Sequence, residues 1–232
     1  MNPSVRLDTT STLTRRPRKA SLADQVYEHV TDQILSGRWV SGDIISRKEV
    51  ARKLDVSLAP VGEALVRLTN EGFLETAPHR HTRVRIVRRE DARGQFALRF
   101  ALERQAVAMA HGEPVRQAKQ RLLELARELD EFPPKDPSAW PAEMAFHQAL
   151  VDLANCPALS ASHERVMRRN YFFSINSAHI HVRTTAAALA PHSNLVEALC
   201  TDDPDAADRA IMTHYAHDRA VMLRPGTAGP EA

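Results

Sequence analysis

The sequence predicts a mainly α-helical protein, in which a short helix-turn-helix unit with two strands precedes an antiparallel all-α helical bundle. Between residues 49 and 74, apolar residues recur at helical spacing on both sides of a two-residue break, which indicates two short helices and a tight turn. After residue 90, helical patterns separated by prolines and glycines continue almost to the end of the chain. A length of 232 residues with 43% hydrophobic content is enough for two compact domains.

We divide the chain into four segments. Residues 1–20 are rich in Ser, Thr, Pro and Arg and have too little apolar content to fold, so we expect a disordered basic arm. Residues 21–89 form the helix-turn-helix unit, residues 90–223 the bundle, and residues 224–232 a disordered tail. Lys and Arg outnumber Asp and Glu by 16 to 11 in residues 1–90, and the remainder has 15 against 18. The basic N-terminal part is therefore expected to face nucleic acid.

The helix-turn-helix is the most informative motif in the chain. Val50, Ala51 and Leu54 lie on one face of its first helix. Ser57 is the expected N-cap of the second helix, and Pro60 falls in the first turn, where a missing N–H costs little. In this layout the second helix enters the major groove of double-stranded DNA while the first helix crosses the backbone.

A wing is predicted directly after the second helix. Gly72 ends the helix, and Phe73-Leu74 and residues 82–87 then form two short strands. The loop from Ala77 to His81 would be the wing. The unit is therefore predicted to be a winged helix-turn-helix.

The winged unit resembles the DNA-binding domain of the GntR-type bacterial transcription regulators. The pieces that carry the resemblance are Leu22 to Glu28, Ile34 to Gly37, Ser41 to Asp43, Ala51, Val56-Ser57, Pro60-Val61, Glu63 to Leu65, Leu68 and Glu71-Gly72. The resemblance implies a regulator that binds a DNA operator. Because palindromic half-sites require two-fold symmetry, we expect a homodimer.

The resemblance and the surrounding charges indicate which residues contact DNA. They are Arg47, Lys48, Ser57, Leu58, Ala59, Pro60, Arg67, Arg80 and Arg83. A solvated surface is the alternative interpretation for any single arginine. The family usually has basic residues where this chain has Leu58 and Gly62, and a glycine at the wing tip where it has His81. Since arginine reads guanine in the major groove, base readout is expected to be altered or weakened.

The bundle is predicted to contain six helices. They cover residues 91–111, 114–131, 138–155, 158–180, 185–200 and 204–222. Cys156 and Cys200 fall within these helical patterns and not at a metal-ligand spacing, so we expect both to be buried reduced thiols.

A metal site is a hypothesis that the residues of the bundle raise. Glu143 and His147 lie four residues apart on one helix face. His192 follows 45 residues after His147, and His214 another 22 residues later, on different predicted helices. One carboxylate with three imidazoles suits Zn²⁺, Ni²⁺, Mn²⁺ or Fe²⁺ better than Ca²⁺ or Mg²⁺. With 11 histidines in the chain, an ordinary pair on a helix face is the alternative.

The bundle also resembles the FCD effector domain of the FadR-like branch of these regulators. That domain has an acidic residue four positions before a His, followed by two later His residues. The resemblance implies that Glu143, His147, His192 and His214 bind a divalent transition metal, zinc first, with nickel, manganese or iron as alternatives. Glu143 stands where the branch usually has Asp and is longer by one methylene. The family pattern selects His214 over its neighbour His217.

The same branch carries an arginine on the first bundle helix, which Arg99 matches. The resemblance implies that Arg99 clamps the carboxylate of a small organic acid while the metal binds another oxygen. A salt bridge to Glu103, one turn on, is the alternative. Asn155 and Asn170 are weaker candidates for lining the effector pocket.

The predicted function is a ligand-responsive transcription regulator, a repressor that a small carboxylate releases from DNA. Two alternatives are a metal-dependent enzyme on a helical bundle and an effector-binding dimer with weakened DNA specificity. Against the enzyme, the sequence shows no recognisable general base, phosphate loop or nucleophile elbow. At most one of His179 and His181 could join the metal site, because residues two apart point to different helix faces. No apolar run could span a membrane and no secretory leader is visible, so we expect no membrane partner and a cytoplasmic protein.

Overall fold

The computed structural model describes residues 20–77, 81–133, 136–176 and 191–216. The helices and strands in these ranges are α1 (Leu22–Leu35), β1 (Ile44–Ile45), α2 (Arg47–Leu54), α3 (Leu58–Asn70), β2 (Leu74–Ala77), β3 (His81–Val84), α4 (Arg89–Ala110), α5 (Glu113–Asp130), α6 (Trp140–Asp152), α7 (Pro157–Asn176), α8 (His192–Leu199) and α9 (Pro204–His214). The predicted fold class is confirmed, because a winged helix-turn-helix precedes a helical domain. None of the described helices is long and apolar enough to cross a membrane.

Local hydrogen bonds explain where the first helices begin and end. Ser21 and Asp24 form a reciprocal cap at the start of α1, in which Asp24 N donates to Ser21 Oγ at 3.1 Å and Ser21 N donates to Asp24 Oδ2 at 3.0 Å. Asp55 ends α2 in the left-handed conformation, with φ 52°. Ser57 occupies the predicted N-cap position of α3, although its side chain makes no capping hydrogen bond.

The wing differs in detail from the sequence prediction. The three strands form an antiparallel sheet in the order β1-β3-β2. Ala77 and His81, predicted as the ends of the wing loop, pair with each other in the sheet, whereas Phe73 and residues 85–87 lie outside the strands. Residues 78–80 are outside the described ranges. Strand β1 was not predicted, because two residues carry no recognisable alternation.

The helices of the second domain correspond to the six predicted segments with shifted ends. The segment predicted over 138–155 begins with a 3-10 turn at Pro137–Ala139 and is α-helical over Trp140–Asp152. The segment predicted over 185–200 is described from Pro191, with α8 beginning at His192. The prediction of buried thiols was wrong, since Cys156 and Cys200 are free but only partly buried. The predicted basic arm, apart from Ala20, and the predicted tail lie outside the described residues.

Helix α7 of the second domain also contributes to the apolar core of the winged domain. Its residues Phe172 and Phe173 are buried in the apolar core of the winged domain, and Phe172 meets Phe73 edge to face at 5.5 Å between ring centroids. Asn176 Oδ1 also accepts a hydrogen bond from Ser41 N at 2.8 Å. The two domains are therefore joined by packing as well as by the chain.

Candidate metal centre and DNA-binding face

Three imidazoles from three helices converge in the second domain. One ring nitrogen from each of His147 (α6), His192 (α8) and His214 (α9) lies within 4.8 Å of the others. His147 is fully buried, and its Nε2 atom has no hydrogen-bond partner. A buried polar atom without a partner is costly unless a ligand binds it. Three imidazole nitrogens facing one point are a donor set that fits a divalent transition metal.

Glu143 lies beside the three histidines. Its Oε1 atom is 3.5 Å from His147 Nε2, and its Oε2 atom is 3.9 Å from His192 Nε2. Arg99 Nη2 donates to Glu143 Oε1 at 2.7 Å. Burial alone would raise the pKa of Glu143, but the positive charge of Arg99 first, and then the proximity of the His147 and His192 rings, hold it at about 2. The carboxylate is therefore ionised, as a metal ligand must be.

The environment also keeps the imidazoles of His147 and His214 neutral. Burial, followed by the proximity of His147 and His192, lowers the pKa of His214 to about 3. Burial likewise lowers the pKa of His147, although the nearby carboxylate of Glu103 opposes the shift. Neutral imidazole is the form that binds metals, so the protonation of the cluster suits a cation.

Glu103 of α4 organises the inner side of this cluster. It is completely buried, and its two oxygens accept hydrogen bonds from Arg99 Nε (2.8 Å), His147 Nδ1 (2.8 Å), His163 Nε2 (3.0 Å) and the Tyr215 hydroxyl (2.5 Å). Because a carboxylate only accepts, Nδ1 of His147 carries the proton, which leaves its Nε2 lone pair free for a metal. Burial would raise the pKa of Glu103, but His147 and Arg99 hold it well below its usual range.

Sequence reasoning missed this role of Glu103 and considered it only as a partner of Arg99. The sequence offered two alternatives for Arg99, the carboxylate of an effector or the carboxylate of Glu103. In the structure the salt bridge to Glu103 forms, and the same guanidinium also binds Glu143. A signal was available in α4. Gln95, Arg99 and Glu103 continue, at four-residue spacing, the buried stripe that ends at Ala110, so the stripe places polar side chains in the core.

Asp130, at the end of α5, orients His192 in the same way. Its Oδ1 atom accepts hydrogen bonds from His192 Nδ1 at 2.7 Å and from His192 N at 2.9 Å. Nε2 of His192 is thereby left to face Glu143. Nothing in the local sequence around Asp130 predicts this contact, since 62 residues separate the two partners.

The other predicted effector residues are placed as follows. Asn155 is exposed in the turn between α6 and α7, where its φ of 47° is a conformation that asparagine tolerates. Asn170 is partly buried in α7. The turn position explains Asn155 without a ligand. His179, His181 and His217 lie outside the described residues.

The predicted DNA-binding face is formed by α2 and the first turn of α3. Its members Arg47, Lys48, Ser57, Leu58 and Ala59 are exposed, and Pro60 is partly buried. Leu58 is 52% exposed, so this apolar side chain is not a core residue. The face is therefore open to a partner, with its two cations at the start of α2.

Two of the predicted DNA contacts, Arg67 and Arg83, also form ion pairs within the protein. Arg67, in the last turn of α3, bonds Glu71 through Nε at 3.1 Å, and its guanidinium carbon lies 3.7 Å from the centre of the Tyr27 ring. Arg83 pairs across the sheet with Glu75, at 2.7 Å between Nη2 and Oε1. These contacts favour a structural role for both arginines. Arg80 lies outside the described residues.

Replacing Gly62 with alanine is expected to stabilise the winged domain by about 0.5–1 kcal/mol, because glycine is a poor residue inside a helix. A Cβ at Gly62 would meet no atom within 4 Å. Gly72→Ala is the matched contrast, since φ is 80° there and a Cβ would lie 2.9 Å from Arg169 Nη2; it should destabilise by about 1 kcal/mol or more. Urea unfolding measures both, and equal effects would contradict the explanation.

The protein thus combines a winged helix-turn-helix with a helical domain that contains a cluster of potential metal ligands. This combination is typical of DNA-binding transcription regulators that respond to a ligand. Residues 22–84 match the model of the gntR family of bacterial regulatory proteins, and residues 95–217, more than half of the chain, match that of the FCD domain. The chain belongs to the GntR-family transcription regulators that carry an FCD domain. Family and regulator class are thus as predicted, and the metalloenzyme alternative was wrong.

Relatives along most of the chain carry regulator names. A Paenarthrobacter nicotinovorans protein described as "Probable D-xylose utilization operon transcriptional repressor" is 29% identical over 217 residues, or 90% of this chain and 91% of that protein. The HTH-type transcriptional repressor RspR of Escherichia coli K12 is 27% identical over 206 residues, 82% and 84% of the two chains. A solved GntR regulator from Rhodococcus sp. RHA1 superposes with a TM-score of 0.67 at 22% identity, covering 87% and 97%, which supports the fold alone.

Proposed function

We propose that this regulator is a homodimeric repressor that a small organic carboxylate releases from its operator, and that Glu143, His147, His192 and His214 bind the metal at the effector site. The observation that carries the proposal is the convergence of three imidazoles, one of which, that of His147, has an unpartnered Nε2 atom. Zinc suits this donor set best, with nickel, manganese or iron as alternatives. The repressor names of two relatives support the sign of regulation.

The effector would bind through two charges. A metal held by Glu143 and the three histidines would supply a positive centre that attracts the acid. Arg99 has five N–H groups, and the hydrogen bonds to Glu103 and Glu143 engage its Nε and Nη2 atoms, so further donors remain for the ligand. Burial of this guanidinium keeps water from competing for the bound acid.

Helix α7 provides the connection from the effector site to the DNA-binding domain. His163 of α7 bonds Glu103, which orients His147. Phe172, nine residues later on the same helix, packs in the winged core. A helix rises about 1.5 Å per residue, so a rigid rod of about 13 Å joins the two contacts. If α7 can take two positions, an effector that binds more tightly to one of them would move the winged domain toward that position. The affinity of the winged domain for DNA would change with it.

Metal content provides the direct test. We expect purified protein to contain about one divalent transition metal per chain and His192→Ala to contain almost none. His29→Ala, which removes an imidazole from α1 in the winged domain, is the control and should keep the metal. Elemental analysis measures the content. The metal site would be contradicted if the purified wild-type protein contained no metal and if added zinc did not change its unfolding temperature.

DNA binding tests the regulatory part. DNA that the protein selects from a random library should bind far more tightly than scrambled DNA at both low and high salt. A screen of small carboxylic acids should then find one that weakens the complex with the selected DNA and leaves binding to scrambled DNA unchanged. Similar affinity for both DNAs would favour the effector-binding dimer with weakened specificity. The exposed Leu58 and the missing side chain at Gly62 make this second candidate specific to the chain.

A further inference from the structure

We propose a second ligand site, for a small organic anion with an apolar group, in the cleft between the winged domain and helices α4 and α7. The cleft has a volume of about 540 Å³. Its charged lining consists of Arg67, Glu71, Glu164, Arg165, Arg168 and Arg169. Four cations face two carboxylates there, so the cleft has an excess of positive charge. None of the four candidate metal ligands lines it.

Arg169 is the central observation. Its guanidinium lies against the turn at Gly72, where a Cβ would stand 2.9 Å from Nη2, and its Nε atom is buried without a hydrogen-bond partner. Burial, followed by the positive charge of Arg85, lowers the pKa of Arg169. Arg169 is thus held near a second cation, Arg85, and has one N–H donor without a partner. A bound anion would balance the positive charge and could accept a hydrogen bond from Arg169.

Arg165 lies three residues before Arg168 and four residues before Arg169, so it neighbours both of them on the surface of α7. Arg165 Nη2 donates to a neutral partner, Ser162 Oγ, at 3.3 Å. Arg168 Nη2 is 3.8 Å from Glu28 Oε2, a distance too long for a hydrogen bond. Arg168 therefore forms a loose ion pair with Glu28, and planar guanidinium groups with donors left over are suited to bidentate binding of a carboxylate or phosphate.

The remaining lining indicates a small amphipathic ligand and not DNA. Phe73, Leu98 and Val166 provide apolar surface beside the arginines, which would accept a ring or a short chain. Glu71 and Glu164 would repel a continuous phosphate backbone. In addition, the cleft lies at the C-terminal end of α3, whereas the exposed predicted DNA contacts Ser57 to Ala59 lie at its N-terminal end; of the predicted DNA contacts, Arg67 lines the cleft, and its guanidinium binds Glu71.

A ligand in this cleft would touch both domains and would hold their relative orientation. The three lining arginines of α7 lie between His163, which reaches the metal cluster through Glu103, and Phe172 in the winged core. This regulatory consequence rests on the proposed coupling through α7. Binding itself does not depend on that coupling or on the metal.

Calorimetric titration with phenyl phosphate, phenylacetate and inorganic phosphate tests the site, since the three probes separate a phosphate from a carboxylate preference and show what the ring adds. Wild-type protein and His192→Ala should bind a ring-bearing anion equally. Arg165→Gln and Arg169→Gln should bind it at least about tenfold more weakly, the loss expected for one charge-assisted hydrogen bond. Arg121→Gln, at an exposed arginine of α5, is the control and should bind as wild type does.

The outcomes separate the site from its alternatives. Binding lost only in His192→Ala would place the anion at the metal site and overturn the second site, while leaving the proposed function intact. Equal binding by all variants, or no binding by wild type, would also overturn it. If Arg165→Gln weakened DNA binding while no variant or wild-type protein bound an anion, Arg165 would be a DNA contact and the second site would also be overturned. Arg165 is exposed, so its variant remains informative even if Arg169→Gln folds poorly.

Discussion

Replacing Glu103 with leucine is expected to lower the free energy of unfolding of the helical domain by about 3–5 kcal/mol, the usual cost of removing one partner from a buried ion pair. The substitution leaves the buried guanidinium of Arg99 with Glu143 alone and removes the acceptor from His147, His163 and Tyr215. Each donor then lacks a partner in a region that water does not reach.

Urea unfolding followed by circular dichroism measures this change. Glu124→Leu, at an exposed residue of α5 that pairs loosely with Arg121, is the control and should change stability by no more than about 0.5 kcal/mol. A loss below about 1 kcal/mol for Glu103→Leu would mean that the network does not hold the domain together.

Glu103→Gln separates the positioning role of this residue from its structural role. The amide keeps the shape but has one acceptor oxygen, so the Nδ1 proton of His147 loses its fixed partner. We expect metal affinity to fall by about 10–100-fold with a smaller loss of stability. Unchanged metal affinity in a folded variant would show that Glu103 supports only the fold.

Phe172→Ala is expected to destabilise the protein by about 3–5 kcal/mol, the usual cost of emptying a fully buried phenylalanine position. Because Phe172 belongs to α7 and packs against Phe73 of the winged domain, the cavity would form at the contact between the two domains. We therefore expect calorimetry to show two separate unfolding transitions, with the winged domain unfolding first.

Leu122→Ala is the matched control for this experiment. Leu122 is equally buried, but in the core of the helical domain. Leu122→Ala should lower the free energy of unfolding of the helical domain by about 2–5 kcal/mol. The winged domain should not unfold before the helical domain in this variant. An effector should also lose its influence on DNA affinity in Phe172→Ala and keep it in Leu122→Ala. The same calorimetric profile for both variants would argue against an independent role of the α7 contact.

Sequence reasoning succeeded where the information is local to one helix or follows the family pattern. The spacing of Val50, Ala51 and Leu54, with Ser57 at the next N-cap, was enough to place α2 and α3. The four-residue spacing of Glu143 and His147 placed both side chains on one helix face. The residues raised the grouping of these two with His192 and His214, the resemblance selected His214 over His217, and the structure brings the three histidines together.

Only the tertiary structure decided how the faces of different helices meet. The sequence determined a winged helix-turn-helix, a helical second domain and the histidines worth examining, because helical periodicity depends on near neighbours in the chain. It left open that Glu103 binds four side chains, that Asp130 orients His192 and that Phe172 enters the core of the other domain. These contacts join residues tens of positions apart, and they depend on the packing angles of helices, which no local pattern encodes.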